Sequence, residues 1–131
     1  MTITRTEWKK DHEFISHLDH NSIKIDGSRK HGYSPKALLL AGLGACSGID
    51  IVDILKKMKM QFSHFNIEVK AAQTEDHPKV YSDIFVLYTI KTDIKNEAKV
   101  KRAIELSLDK YCGVSAMLRK NSPIHYQLEI I

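Results

Sequence analysis

The chain has no secretory leader pattern, no Pro/Gly/Ser-rich linker, no block of like charges and no internal repeat. MTITRTEWKKDHEF lacks the basic head, apolar middle and small-residue cleavage site of a signal peptide, so export is not expected and a cytoplasmic protein is. Without a linker or a charge block, neither a disordered tail nor a tethered second domain is implied. The longest apolar run, 37–49, is interrupted by Gly42, Gly44, Ser47 and Gly48. It falls short of the roughly 20 residues that span a bilayer, so it reads as a buried helix and no membrane partner is expected.

Chemistry-bearing patterns are also sparse. His12, His17, His20, His31, His64, His77 and His125 are scattered, and none has the close Cys/His spacing of a zinc site. Only tertiary convergence would make a metal site, and none is expected. GLGACSG has neither the Lys-Ser/Thr ending nor the preceding strand of a phosphate loop, so its glycines read as allowing close helix packing. The nucleophile-elbow pattern G-x-S-x-G is absent. A net charge of +4 and a pI near 9.0 invite a nucleic-acid reading, but Lys and Arg are interleaved with Asp and Glu. That excess reads as a solvated surface, with no nucleic-acid partner expected.

What is present suits one compact domain over residues 1–131: 43% hydrophobic and 27% charged residues, enough for a single core. Residues 2–8, 13–17 and 23–26, separated by turns at 9–12 and 19–22, predict an antiparallel meander. Ser34 before Pro35 predicts a helix start, and 37–45 is apolar on every side, which requires wrapping by other elements. Past Gly44, Ile49, Val52, Leu55 and Met58 recur at helical spacing, while Cys46, Asp50, Asp53 and Lys57 form a more polar stripe. The glycines predict a kink or break near Cys46, giving two central helices.

Residues 65–71 alternate as a half-buried strand. Residues 80–90 are apolar on both faces and predict a central strand or an interface strand. Asp93 or Asn96 caps a helix whose core positions are Val100, Ala103, Ile104 and Leu108. A short helix over 114–120 and a last strand over 124–130 follow. The fold class is α+β, with antiparallel sheets enclosing buried helices.

Two cysteines, Cys46 and Cys112, each stand in an ordered setting far apart in sequence. If the fold brings them together they can exchange electrons with an oxidant; in a reducing cytoplasm they read as catalytic or sensing thiols. A helix restarting at Cys46 would favour its thiolate. The alternative is a cysteine used as a small buried hydrophobe. Asp50 shares the face of Cys46 one turn on, and an acid there raises a thiol pKa, so Asp50 reads as a structural or capping partner.

The stretches GYSPKALLLAGLGACSGIDIVDILKKM, HPKVYSDIFVLYTI and KVKRAIELSLDKYCGVSAMLRKNSPIHYQLEI resemble the OsmC/Ohr family, in its OsmC-like branch. The resemblance implies an intertwined homodimer with two long central helices wrapped by sheets from both chains. It also implies a thiol peroxidase acting on organic hydroperoxides or H2O2: Cys46 peroxidatic, Cys112 resolving, an external thiol as reductant, and no cofactor. Peroxidases of the family hold the thiolate with a hairpin arginine and a glutamate ten residues before the cysteine. Here those positions are Glu13 and Lys36, which implies a swapped pair, with Arg29 as another cation. A non-catalytic dimer that binds a small molecule or senses thiols is the second reading.

Overall fold

The computed structural model describes residues 1–131, which form two compact units, Met1–Leu39 and Leu40–Ile131. In the first, β1 (Arg5–Lys10), β2 (Glu13–Leu18) and β3 (Asn21–Asp26) make the expected antiparallel meander. Its turns pass through Asp11 and Asp19 at φ 48° and 53°, the left-handed region that short polar side chains tolerate. Trp8, Phe14 and Ile23 remain exposed in this unit, so the meander builds little core by itself. After β3 the chain returns beside it: Asp26 N–H donates to Tyr33 O, and Ile25 bridges Tyr33. Gly32 makes that return possible, because a Cβ there would stand 2.5 Å from the Lys24 carbonyl oxygen.

Helix α1 (Pro35–Lys57) begins at the predicted Pro35 and runs unbroken for 23 residues. The expected break near Cys46 does not occur, because an α-helix tolerates isolated glycines when tertiary packing supports it. The length also removes the argument that this segment is too short for a bilayer. In the second unit its burial supplies the distinction instead: Leu43, Ile51 and Leu55 are fully buried in the protein core. The buried face is Leu43, Gly44, Ser47, Gly48, Ile51 and Leu55, not the predicted Ile49–Val52–Leu55–Met58 row, and Ile49 is 64% exposed. The two small residues select the face, since a Cβ on Gly48 would meet Ile67 Cδ1 at 2.8 Å and one on Gly44 would meet Val69 Cγ2 at 3.3 Å. Lys59 at φ 56° ends the helix, with Met60 N–H closing back on Leu55 O at 3.1 Å.

Strands β4 (Ser63–Gln73), β5 (Tyr81–Lys91) and β6 (Ile124–Ile130) form the second sheet in the order β4-β5-β6, with β5 central as predicted. β4 pairs antiparallel, but β6 pairs parallel to β5, so this sheet is mixed where antiparallel pairing was expected. A parallel neighbour needs a long crossover, and residues 92–123 supply it. That crossover contains a 3-10 turn (Ile94–Asn96) capped by the Asp93 carboxylate, α2 (Glu97–Leu106), a π-turn (Ser107–Tyr111) and α3 (Gly113–Arg119). Val100, Ala103, Ile104 and Leu108 of the crossover join α1, β5 and Cys112 in one buried cluster.

Gly32→Ala should lower the stability of the protein by about 1–3 kcal/mol, the range for forcing a methyl against rigid backbone. A thermal melt of the variant that matched wild type would contradict this packing.

Candidate active site

Cys46 lies on the middle turns of α1, half-buried, and Cys112 is only 2% exposed; both are free thiols. The Cys46 thiol is close enough to Cys112 to push its pKa upward, so the fold brings together residues 66 positions apart in the sequence. Cys46 occupies a helix interior, so no helix N-terminus stabilises its thiolate. Cys112 holds such a position instead. Its backbone is extended, its sulfur accepts the Ser115 N–H at 3.3 Å, and it caps α3.

Burial pushes the Cys112 thiol up to about 11 from its ordinary 9.0, the Ser115 and Val114 N–H groups pull the other way, and the nearby Cys46 thiol adds to the rise. Desolvation wins because two weak backbone donors to sulfur do not replace the water lost on burial. At neutral pH Cys112 is therefore a neutral thiol beside a second sulfur.

A polar chain threads the core next to this pair. The buried Tyr88 hydroxyl donates to Ser47 Oγ at 2.9 Å, and Ser47 Oγ donates to the Gly44 carbonyl at 3.3 Å. Ser107 Oγ donates to Asp50 Oδ2 at 2.9 Å and lies 3.4 Å from the Ser47 carbonyl oxygen. Every buried side-chain polar atom here has a partner, which is what makes a polar strip inside an apolar core tolerable. Burial holds the Tyr88 phenol up at about 12, despite the Ser47 bond that favours ionisation.

Asp50, expected as a structural or capping partner, receives the Ser107 hydroxyl. Glu13, Lys36 and Arg29 belong to the Met1–Leu39 unit. Glu13 pairs with His31 at 3.0 Å and, more loosely, Lys10 at 4.0 Å. Arg29 is exposed at φ 61° in the turn after β3, with its N–H on Asp26 O. Lys36 lies in the first turn of α1.

Convergence in the same unit brings Glu13, Asp26 and His31 ligand atoms within 4.8 Å of one another, a group that residue spacing does not reveal. Its acceptors are engaged: Asp26 takes Ser28 N–H and Oγ–H at 2.8 and 2.7 Å and His31 N–H at 3.0 Å. The Ser28 hydroxyl above all holds Asp26 down at about 2.

Sequence reasoning missed Ser47, Tyr88, Ser107 and Ser115. The available signal was polarity on a core stripe: Ser107 continues the Val100–Ala103–Ile104 face, and Ser47 stands between Leu43 and Ile51.

The site belongs to an α+β protein that carries two free thiols, one on a long core helix and one capping a crossover helix. The family model described as "OsmC-like protein" matches residues 26–127, and the chain belongs to the OsmC family. It is 29% identical over 129 residues to Protein YhfA of Escherichia coli K12, covering 97% of this chain and 96% of that one. A hypothetical protein from Aquifex aeolicus superposes with TM-score 0.85 at 29% identity, over 100% and 98% of the two chains. The organic hydroperoxide resistance protein OhrB of Bacillus subtilis shares the fold at TM-score 0.67 and 16% identity, with 98% of each chain covered.

Because folding raises the Cys112 pKa, the unfolded chain loses its proton first as pH climbs. Stability should fall between pH about 9 and about 11 and be unaffected by this group below that window. Denaturation midpoints measured across that range should decline less in Cys112→Ala than in wild type; equal slopes would contradict the buried-thiol assignment.

Proposed function

We propose that this chain is a cysteine-dependent peroxidase that reduces organic hydroperoxides, with H2O2 as a smaller alternative substrate, through Cys46 and Cys112. The observation that carries the reading is the approach of the two thiols inside one compact unit. The Cys46 thiolate attacks the distal oxygen of the hydroperoxide, the O–O bond breaks, and the alcohol leaves with a proton. Cys46 is then a sulfenic acid. The Cys112 sulfur displaces that hydroxyl group as water, using its own proton, and an S–S bond forms. An external thiol reductant returns both cysteines to thiols by exchange. No metal or organic cofactor enters these steps.

Cys46 suits attack because it is the more accessible of the two, and Cys112 suits resolution because it stays protonated and close until a sulfenic acid appears. Apolar side chains that stay partly accessible, Leu40 on α1 among them, favour an organic peroxide over a strongly hydrated one.

The whole chain acts as one OsmC-like domain completed in a homodimer. Support comes from α1, which leaves the apolar side chains Leu39 46% and Ile49 64% exposed in a single chain. Lys36 precedes Cys46 by ten residues, about 15 Å along a helix axis, beyond a lysine stem. The cytoplasm is the assigned compartment, since its reduced thiol pool regenerates such a site.

Cys46→Ser should abolish peroxide consumption in the presence of a dithiol, while Cys112→Ser should block the disulfide yet leave a sulfenic acid that dimedone traps. Wild-type turnover in Cys46→Ser would overturn the assignment. The second reading, a non-catalytic binding or thiol-sensing dimer, is favoured by the lysine at position 36; negligible turnover with intact thiol titration would establish it. Sedimentation should give twice the 15.0 kDa chain mass, and a monomer at micromolar concentration would refute the dimer.

A further inference from the structure

Ser107 is tied in two directions by different atoms. Its hydroxyl donates to Asp50 Oδ2 at 2.9 Å and approaches the Ser47 carbonyl at 3.4 Å, both on α1 within one turn of Cys46. Its carbonyl accepts the Cys112 N–H at 2.7 Å across the π-turn. One residue thus grips the helix that carries the first thiol and the backbone that carries the second. Ser107 is fully buried, so water does not substitute for either bond. A π-turn is a strained insertion that persists where side chains over-determine it, and such turns often stand at functional sites.

We propose that Ser107 and Asp50 are positioning residues that fix the separation of Cys46 and Cys112 and so set how readily the pair closes to a disulfide. The inference rests on the two-thiol reading above. Asp50 contributes a carboxylate acceptor, which makes the Ser107 bond stronger than one to a neutral oxygen. Its carboxylate is thereby engaged in holding the crossover to α1. The Ser47–Tyr88 bond fixes the same turn of α1 from the sheet side, which leaves the Ser107 tie to set the remaining distance.

The test is the equilibrium of the dithiol protein with glutathione: the two protein thiols are oxidised to one disulfide as one oxidised glutathione is reduced to two thiols. No peroxide is involved. In Ser107→Ala the equilibrium should shift roughly tenfold toward the dithiol, the scale of one lost hydrogen bond to a charged group. Asp50→Ala should shift it by a similar factor, and the double variant no further than either single one, because both remove the same bond. Ser107→Thr keeps the hydroxyl and should restore the wild-type position.

Ser122→Ala is the control for mere destabilisation. It removes a likewise buried hydroxyl, bonded to Tyr81 O at 2.6 Å, without touching the tie to α1, and should stay within about twofold of wild type. If Ser107→Ala and Ser122→Ala move the equilibrium alike, or if Ser107→Ala leaves it unmoved, the positioning role is overturned. If Ser107→Ala does not fold, Ser107→Thr and Asp50→Ala decide the matter on the same criterion. A wild-type protein that forms no Cys46–Cys112 disulfide in oxidised glutathione overturns both this inference and the two-thiol mechanism. A disulfide that forms normally with no peroxidase turnover overturns only the peroxidase.

Discussion

The close seating of α1 on the second sheet is the constraint on which the site depends. Gly44 and Gly48 let the helix backbone approach Ile67 and Val69 to distances a larger side chain would forbid. That approach buries the Leu43–Ser47–Ile51–Leu55 row and turns Cys46 toward the crossover that holds Cys112. A helix held further off by ordinary side chains would lose the Tyr88–Ser47 contact as well. Close packing and polar satisfaction are therefore coupled: the small residues that admit the sheet also require that Ser47 find a partner inside it.

The site joins two opposing electrostatic demands. Cys112 is buried, capped by weak backbone donors and held neutral. Next to it runs a strip of hydroxyls ending on the Asp50 carboxylate. A neutral thiol tolerates that arrangement, whereas a thiolate at Cys112 would meet the full cost of desolvation. The chemistry proposed for the pair uses this asymmetry, with ionisation assigned to the more accessible sulfur and the proton retained on the buried one.

Much of the fold is legible in the amino-acid order. The meander, the start of α1 at Pro35, the central position of β5 and the bounds of β6 follow from turn residues, capping and alternation. The break expected near Cys46 fails because glycine weakens a helix only when nothing else supports it, and the sheet does. The buried face of α1 differs from the expected one because the Ile49–Val52–Leu55 and Ser47–Ile51–Leu55 rows both fit a helical period; Ile49 and Ile51 are equivalent until a neighbour chooses between them. The direction of β6 was missed because a strand's composition carries no sign of its polarity. Only the crossover length, read as a parallel connection, contained it.

By itself the sequence determined which residues can do chemistry and which local elements carry them: two cysteines, one on an apolar helix and one just after an amphipathic helix. Those follow from residue type and near-neighbour spacing. Tertiary structure alone decided that the thiols meet, that Cys112 is the sealed one, and that Ser47, Tyr88, Ser107 and Asp50 form a connected strip beside them. The reason is physical: hydrogen-bond partners 41 and 57 residues apart, such as Tyr88 with Ser47 and Ser107 with Asp50, are set by packing in three dimensions, which no local pattern encodes.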